Sequence, residues 1–155
     1  ATAVYNFRPR EIAGDFGIHQ VPRLEGLVEH RRIMAAYFNE ALADYQDWIQ
    51  LPVEARGCRH SYFAYPITVT EKAPFTKKEL VGFLESKGLE TRPIESGNMA
   101  MQPAMKGLNY RAGPLPNATY IHHNSFFFGL HQGIGPEQQE AIVSYFHEFM
   151  EGGRA

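Results

Sequence analysis

A long run of apolar residues at helical spacing constrains the fold of this chain more than any other feature. Across residues 22–46 the apolar positions recur at intervals of three and four, which predicts one long amphipathic helix. Pro22 opens the run, and its fixed φ angle suits the first turn of a helix. Such a helix needs a partner for its apolar face, so the rest of the chain has to supply a sheet or further helices. The stripe is formed by Leu24, Leu27, Val28, Ile33, Met34, Phe38, Leu42 and Tyr45.

The remaining periodic segments predict short helices and strands. A short helix precedes the long one over Pro9–Gln20, and Thr76 with Glu79 has the spacing of a capping box for a third helix that Gly88 ends. Pro66 predicts an edge position for its strand because proline has no N–H to donate. The other expected elements are strands at 62–70, 89–94 and 126–130 and helices at 116–124 and 136–150. The fold class is therefore α+β: a small sheet of about three strands covered by helices and preceded by two N-terminal helices.

Composition and charge exclude several classes of protein. The chain has 155 residues, 44% of them apolar, which is enough for the core of one domain. Its net charge of −2 is spread without a basic block, which argues against a nucleic-acid surface. No apolar run approaches the length of a membrane span, and no signal peptide is evident. The single cysteine, Cys58, fits a reducing compartment, so we expect a cytoplasmic protein with no membrane or nucleic-acid partner.

The histidines and the cysteine do not predict a metal site or a nucleophile. His122 and His123 are adjacent on a predicted helix and point about 100° apart, and His131 lies at a strand end with no cysteine or carboxylate at ligand spacing. Cys58 and His60 are two residues apart in a predicted turn without a third group to orient them. We therefore expect no metal and no catalytic residue within this chain.

Two segments carry polar side chains suited to binding. Asn6, Arg8 and Arg10 lie at the start of the first predicted helix, where free N–H groups and the helix dipole favour an anion such as phosphate, although an ordinary solvated helix start has the same composition. Residues 96–114 form a long segment rich in glycine and proline with no sustained period. A loop of that length in a compact domain is usually functional or disordered.

The order of these motifs resembles one enzyme family. Tyr5–Gln20 is similar to the "YNxRxxxxxAxxGxxQ" passage of the pyridoxal-phosphate (PLP) dependent sugar aminotransferases, the DegT/DnrJ/StrS group. The similarity continues in order through residues 30–32, 61–67, 78–84 and 90–93. Residues 97–103, 115–118 and 125–130 look most like the branch of nucleotide-linked 4-keto-6-deoxyhexose 3-dehydrases. The resemblance implies the C-terminal small domain of fold-type I PLP enzymes.

The resemblance covers only the C-terminal part of that family, which implies an incomplete enzyme. We expect residues 1–155 to be a single small domain without the large cofactor-binding domain, inactive alone and binding no cofactor by itself. The complete enzyme would use PLP or its amine form PMP, act on a nucleotide-diphosphate sugar as a homodimer, and, as a 3-dehydrase, have an iron–sulfur reductase as partner. The alternative is a free-standing, non-catalytic module that binds a sugar nucleotide or a separate large-domain chain.

The family pattern also implies roles for individual residues. Asn6 matches the amide that reaches the cofactor phosphate of the partner subunit, and Arg8 matches a contact to the sugar-nucleotide diphosphate. Arg10 is a further candidate for that anion. Asn98 and Gln102 are candidates for binding sugar hydroxyls, with ordinary loop hydrogen bonding as the alternative.

Overall fold

The computed structural model describes residues 11–152, which form four α-helices and one four-stranded sheet. The helices are α1 (Glu11–Ala41), α2 (Lys77–Ser86), α3 (Pro116–Asn124) and α4 (Pro136–Glu151). The strands are β1 (Ile49–Gln50), β2 (Ala64–Val69), β3 (Thr91–Pro93) and β4 (Ser125–Gly129). Three short 3-10 turns lie at Ala43–Tyr45, Met99–Met101 and Pro103–Met105. The predicted α+β class, with a small sheet covered by helices, is confirmed.

Helix α1 replaces the two N-terminal helices predicted from the sequence. It runs without interruption from Glu11 to Ala41, and Pro22 lies inside it. A proline in a helix removes one backbone hydrogen bond, and because both flanking segments have helical patterns the helix continues through it. The proline was therefore wrongly interpreted as the start of a new helix.

The sheet is antiparallel throughout, in the order β1-β2-β4-β3. Strand β2 is thus not at the edge of the sheet, and the edge prediction from Pro66 was wrong. The register shows why proline is tolerated: β1 pairs only with Thr68 and Val69, which follow Pro66 in β2, so β1 does not lie opposite Pro66. Strand β1 was not predicted, because two residues are too short for a periodic signal.

One face of the sheet forms the core of the domain. Tyr65 pairs with Phe128 and Ile67 pairs with Phe126, and all four side chains are buried. Phe38 of α1 packs edge-on against Phe128, with ring centroids 5.4 Å apart. The buried residues that α2 and α4 add to the same core are Leu80, Leu84, Ile142, Val143, Phe146, Phe149 and Met150.

The first half of α1 takes no part in this core. From Glu11 to Leu27 no residue of the helix is buried. The large apolar side chains there expose between 53% and 69% of their surface; they are Ile12, Phe16, Ile18, Val21 and Leu24. A helix that is apolar on several sides and uncovered requires a partner surface. Among residues 11–152 no helix is both long and apolar enough to cross a bilayer.

Candidate functional site: an anchored loop and an adjoining cleft

The predicted binding loop follows β3 and ends at the start of α3. Asn98 is its buried anchor, with only 4% of its surface exposed. Its side-chain Nδ2 donates to Thr119 Oγ1 at 3.0 Å, and its Oδ1 accepts the Ala100 N–H at 3.1 Å, which caps the turn Met99–Met101. Both ends of the amide therefore have partners within the chain. For Asn98, ordinary hydrogen bonding within the loop was the alternative to sugar binding, and the structure shows such hydrogen bonds. Binding of Asn98 to a sugar hydroxyl stays a prediction.

His122, for which the sequence predicted no metal-binding role, also holds this loop. The Asn98 backbone N–H donates to His122 Nδ1 at 3.3 Å, which assigns Nδ1 as unprotonated. Gly97 has a φ of 57°, and a Cβ atom at that position would overlap the His122 ring. Only glycine suits both the backbone angle and the close approach. In the sequence, only Gly97 indicated a close backbone approach in this loop. Its neighbour His122 could not be identified, because the two residues are far apart in the sequence.

Gln102 closes the first part of the loop. Its Nε2 donates to the Ser96 carbonyl at 2.6 Å, and the side chain is half-buried. The Tyr110 hydroxyl donates to the Ala100 carbonyl at 3.4 Å. The predicted binding of Gln102 to a sugar hydroxyl stays a prediction.

An open cleft of about 540 Å³ adjoins the loop, where β2 begins and β4 ends. Phe127 and Gly129 of β4 line it, and Arg92 of β3 lies directly opposite Phe127. Glu95 borders the cleft where β3 passes into the loop, and its φ of 40° is uncommon for a residue with a side chain. The other residues that line the cleft are Arg31, Phe63, Ala64, Glu90, Phe128, Leu130, His131 and Gln132.

The two arginines of the cleft differ in their partners. Arg92 donates to Glu90 Oε1 from Nη2 at 2.6 Å and from Nε at 3.0 Å, on an exposed part of the surface. Arg31 of α1 has a buried Nε with no hydrogen-bond partner among the described residues. A buried donor without an acceptor is costly, so a water molecule or a group from outside the described residues is expected to satisfy this one N–H. Sequence analysis missed Arg31, because its isolation is visible only in three dimensions.

The other predicted site residues, Asn6, Arg8 and Arg10, lie outside the described residues. They precede Glu11 in the sequence, whereas the cleft meets α1 at Arg31. Twenty residues of helix separate Glu11 from Arg31, about 30 Å at 1.5 Å per residue. The described structure therefore brings Asn98 and Gln102 into one loop, and the start of α1 lies about 30 Å along the helix from Arg31.

Three lysines of the described residues have partners within the chain. Lys77 donates from Nζ to the His122 carbonyl at 3.0 Å, and burial lowers the pKa of its ammonium group. Lys72 and Lys87 are held by carboxylates at 2.8 and 2.7 Å. No lysine of residues 11–152 lines the cleft. Within that range, no group of three or more His, Cys, Asp or Glu side chains is arranged to bind an ion.

Comparison with known proteins decides the family. The sequence profile of the DegT/DnrJ/EryC1/StrS aminotransferase family matches residues 2–147. The chain belongs to this family. It is 31% identical over 94% of its length to the lipopolysaccharide biosynthesis protein RfbH of Salmonella typhimurium, and 33% identical over 83% of its length to a GDP-4-keto-6-deoxy-D-mannose 3-dehydratase of Yersinia pseudotuberculosis.

Solved structures agree with this family assignment. The E. coli GDP-4-keto-6-deoxy-D-mannose-3-dehydratase with bound hydrated PLP matches 91% of this chain, with a TM-score of 0.80 and 29% identity. A GDP-4-keto-6-deoxymannose-3-dehydratase with bound GDP-perosamine matches 93%, with a TM-score of 0.81 and 28% identity.

This chain, however, spans only about a third of the length of these relatives: 33% and 32% of the two sequences and 36% and 37% of the two structures. The match is to their C-terminal part. The predicted recognition of the family, and of its C-terminal part, is confirmed.

Proposed function

We propose that this chain is the C-terminal domain of a PLP- or PMP-dependent 3-dehydratase that acts on a nucleotide-linked 4-keto-6-deoxyhexose. The observation that carries the proposal is the extent of the match. The Yersinia 3-dehydratase aligns with 83% of the chain at 33% identity, whereas the GDP-perosamine synthase of Vibrio cholerae aligns with 58% at 27%. Sugar aminotransfer is the second candidate, since the matching profile is that of an aminotransferase family.

The cofactor and the substrate of the complete enzyme follow from the relatives. PLP is bound in the E. coli structure, and four relatives bear names with GDP-linked sugars, so we propose PLP or PMP and a GDP-linked sugar for the complete protein. The cofactor would be held by parts of the protein outside residues 11–152. When bound, it supplies the electron sink that permits loss of the C3 hydroxyl.

The site residues keep distinct roles in this proposal. Asn6 bonds the cofactor phosphate of the partner subunit, and Arg8, with Arg10 in support, binds the diphosphate, for which a planar guanidinium is well suited. Asn98 and Gln102 bind the sugar hydroxyls, and Asn98 also keeps the loop in place through its hydrogen bonds to Thr119 and Ala100.

The assembly of the complete enzyme is proposed on the same basis. Residues 1–155 are one small domain, inactive without a large cofactor-binding domain. The complete enzyme is a cytoplasmic homodimer, and a 3-dehydratase of this kind receives electrons from an iron–sulfur reductase when no amino donor supplies them. A free-standing binding module is not favoured, because the match is to one third of enzymes of known activity.

Product analysis tests the proposal. The complete protein that carries this chain is incubated with PLP, L-glutamate and GDP-4-keto-6-deoxymannose, with and without an iron–sulfur reductase, and the sugar nucleotide is examined by mass spectrometry. We expect a 3-deoxy sugar that retains its carbonyl group. A 4-amino sugar would support the second candidate, and an unchanged substrate in both arms would contradict both.

A further inference from the structure

His122 holds the loop through its side chain and is itself held through its backbone. Its ring Nδ1 accepts the Asn98 N–H at 3.3 Å, and its carbonyl accepts a hydrogen bond from Lys77 Nζ of α2 at 3.0 Å. The same Nζ donates to the Ser125 carbonyl, at the start of β4, at 3.5 Å. The end of α3 is therefore tied to α2, and the His122 ring meets the loop from a fixed position.

The part of the loop that meets this ring is closed on itself. Gly97 has a positive φ, and a Cβ at this position would overlap the ring, so the two surfaces are in close contact. Asn98 Oδ1 accepts the Ala100 N–H. Gln102 Nε2 donates to the Ser96 carbonyl, which joins the end of this segment to its beginning. A change in the bond between the ring and the Asn98 N–H therefore acts on both amide side chains of the segment.

The hydrogen bond between the loop and the ring requires a neutral His122. A backbone N–H can only donate, so Nδ1 carries a lone pair and the proton of the neutral ring lies on Nε2. Protonation makes both ring nitrogens donors, and no rotation of the ring then offers an acceptor. The protonated Nδ1 and the Asn98 N–H would face each other across 3.3 Å. Acid therefore converts this attraction into a repulsion.

The ionisable neighbours of His122 come from two helices. His123 follows it on α3, with the two ring centroids 5.0 Å apart, and Lys77 comes from α2. The loop meets the ring through Gly97 and Asn98, which are uncharged. Both ionisable neighbours are cationic when protonated, so neither neutralises the charge of a protonated His122.

We propose that His122 is a positioning residue that controls the loop through its protonation state: the neutral ring holds residues 96–102 in place, and the protonated ring releases them. The inference rests on the proposed function, in which Asn98 and Gln102 bind the sugar hydroxyls. Release of the loop withdraws both amides from the substrate. Acid should therefore raise KM for the nucleotide sugar, and it should do so through a residue that does not touch the sugar.

Hydrogen–deuterium exchange of the complete protein without substrate tests the proposal. Exchange rates of peptides that cover residues 96–102 are divided by the intrinsic rates at each pH and compared at about pH 8 and about pH 5.5, across most of the range in which imidazole takes up a proton. His122→Asn keeps an amide oxygen as acceptor and takes up no proton, and His122→Ala removes the acceptor. His123→Asn is the matched control, because His123 is the exposed neighbour on the same helix.

We expect acid to reduce the protection of the loop about three- to tenfold in the parent and His123→Asn proteins, because one hydrogen bond is lost. His122→Asn should keep its protection at both pH values, and His122→Ala should lack it at both. KM for the nucleotide sugar should rise in acid by a similar factor in the parent protein and not in His122→Asn.

Equal protection of the parent loop at both pH values, or the same loss in acid for His122→Asn, would overturn the proposal. Release of the loop with an unchanged KM would overturn the role of His122 in sugar binding. The exchange measurement needs no turnover, so it decides the role of His122 in the loop even where the complete protein leaves the sugar nucleotide unchanged and the proposed function fails.

Discussion

At the scale of single residues, Asn98 determines the shape of the loop beside the cleft. The buried side-chain amide of Asn98 caps the turn Met99–Met101 by accepting the Ala100 N–H. The same amide donates to Thr119 of α3. Gly97 allows the backbone to approach His122 closely enough for the next N–H to bond to its ring. The loop is therefore positioned before any ligand arrives, which lowers the entropy cost of binding.

Replacing Asn98 tests this structural role. Asn98→Ala removes a turn cap and leaves the Thr119 hydroxyl without its donor, so we expect the free energy of unfolding to fall by about 1–3 kcal/mol. Urea denaturation followed by circular dichroism measures the change. Asn109→Ala, in an exposed part of the same loop, is the control and should leave the midpoint unchanged. Equal midpoints for Asn98→Ala and Asn109→Ala would show that the loop is held by other contacts.

The proposed roles of Asn6 and Arg8 predict separable effects in the complete enzyme. Asn6→Ala should weaken cofactor retention by about 1–3 kcal/mol, because a hydrogen bond to phosphate is lost. Arg8→Ala should mainly raise KM for the nucleotide sugar, because a diphosphate contact remote from C3 contributes nearly equally to ground and transition states. Cofactor dialysis and steady-state kinetics measure the two effects. Loss of cofactor from the Arg8 variant with unchanged KM would reverse the assignment.

At the scale of elements, a network of charges holds the segment between β1 and β2 against α1. Arg32 Nη2 lies 2.9 Å from Glu54 Oε2, and Arg32 Nη1 donates to the His60 carbonyl at 2.9 Å. Glu54 Oε1 accepts the His60 N–H at 2.9 Å. Arg59 Nη2 lies 3.2 Å from Oε2 of Glu29 on α1. The segment that leads to Phe63 is therefore fixed to the same helix that carries Arg31.

Acid should loosen this network. The hydrogen bond from Arg32 lowers the pKa of Glu54 below its ordinary value of 4.5. The ionised carboxylate therefore stabilises the fold above pH 4.5, and this contribution is lost as the pH falls through the lowered pKa. We expect Glu54→Gln to reduce the fall in stability between about pH 5 and pH 3, measured by urea denaturation. Glu140→Gln, at an exposed position of α4, is the control. Identical pH profiles for parent and Glu54→Gln proteins would exclude this contribution.

The uncovered half of α1 predicts self-association of the 155-residue chain. Phe16 and Val21 expose 68% and 67% of their surface, and apolar area of this kind associates when no partner domain covers it. Light scattering should report oligomers, and Phe16→Glu with Val21→Glu should shift them to monomer. His19→Glu with Gln20→Glu adds the same charge at polar positions of the helix and should not. A monomeric parent chain at high concentration would contradict the prediction.

The elements also show what the sequence could and could not predict. The capping box of α2 was predicted and is present, because its two residues are three apart in the chain. Strand β1 was missed because it is defined by pairing with Thr68 and Val69 rather than by any local pattern. The branch of the family was predicted from the resemblance of residues 97–103, 115–118 and 125–130. The cleft was not predicted, because two of its lining residues, Arg31 and Phe127, are 96 positions apart in the sequence.

At the scale of the whole molecule, three features of this chain agree with the proposal that it is part of a longer enzyme. Half of its longest helix is uncovered, the Nε of Arg31 has no hydrogen-bond partner among the described residues, and no lysine of residues 11–152 lines the cleft. The relatives that it matches are about three times as long. These observations support a domain that completes an active site whose cofactor is held elsewhere.

Cofactor binding tests that claim most directly. The 155-residue chain and the complete protein are each incubated with PLP, treated with borohydride, and examined by visible absorbance and peptide mass spectrometry. We predict that the complete protein retains one PLP per chain outside residues 1–155, and that the 155-residue chain acquires no stoichiometric adduct, because no described lysine lines the cleft. One PLP per chain fixed to a single lysine of the 155-residue chain would contradict the account.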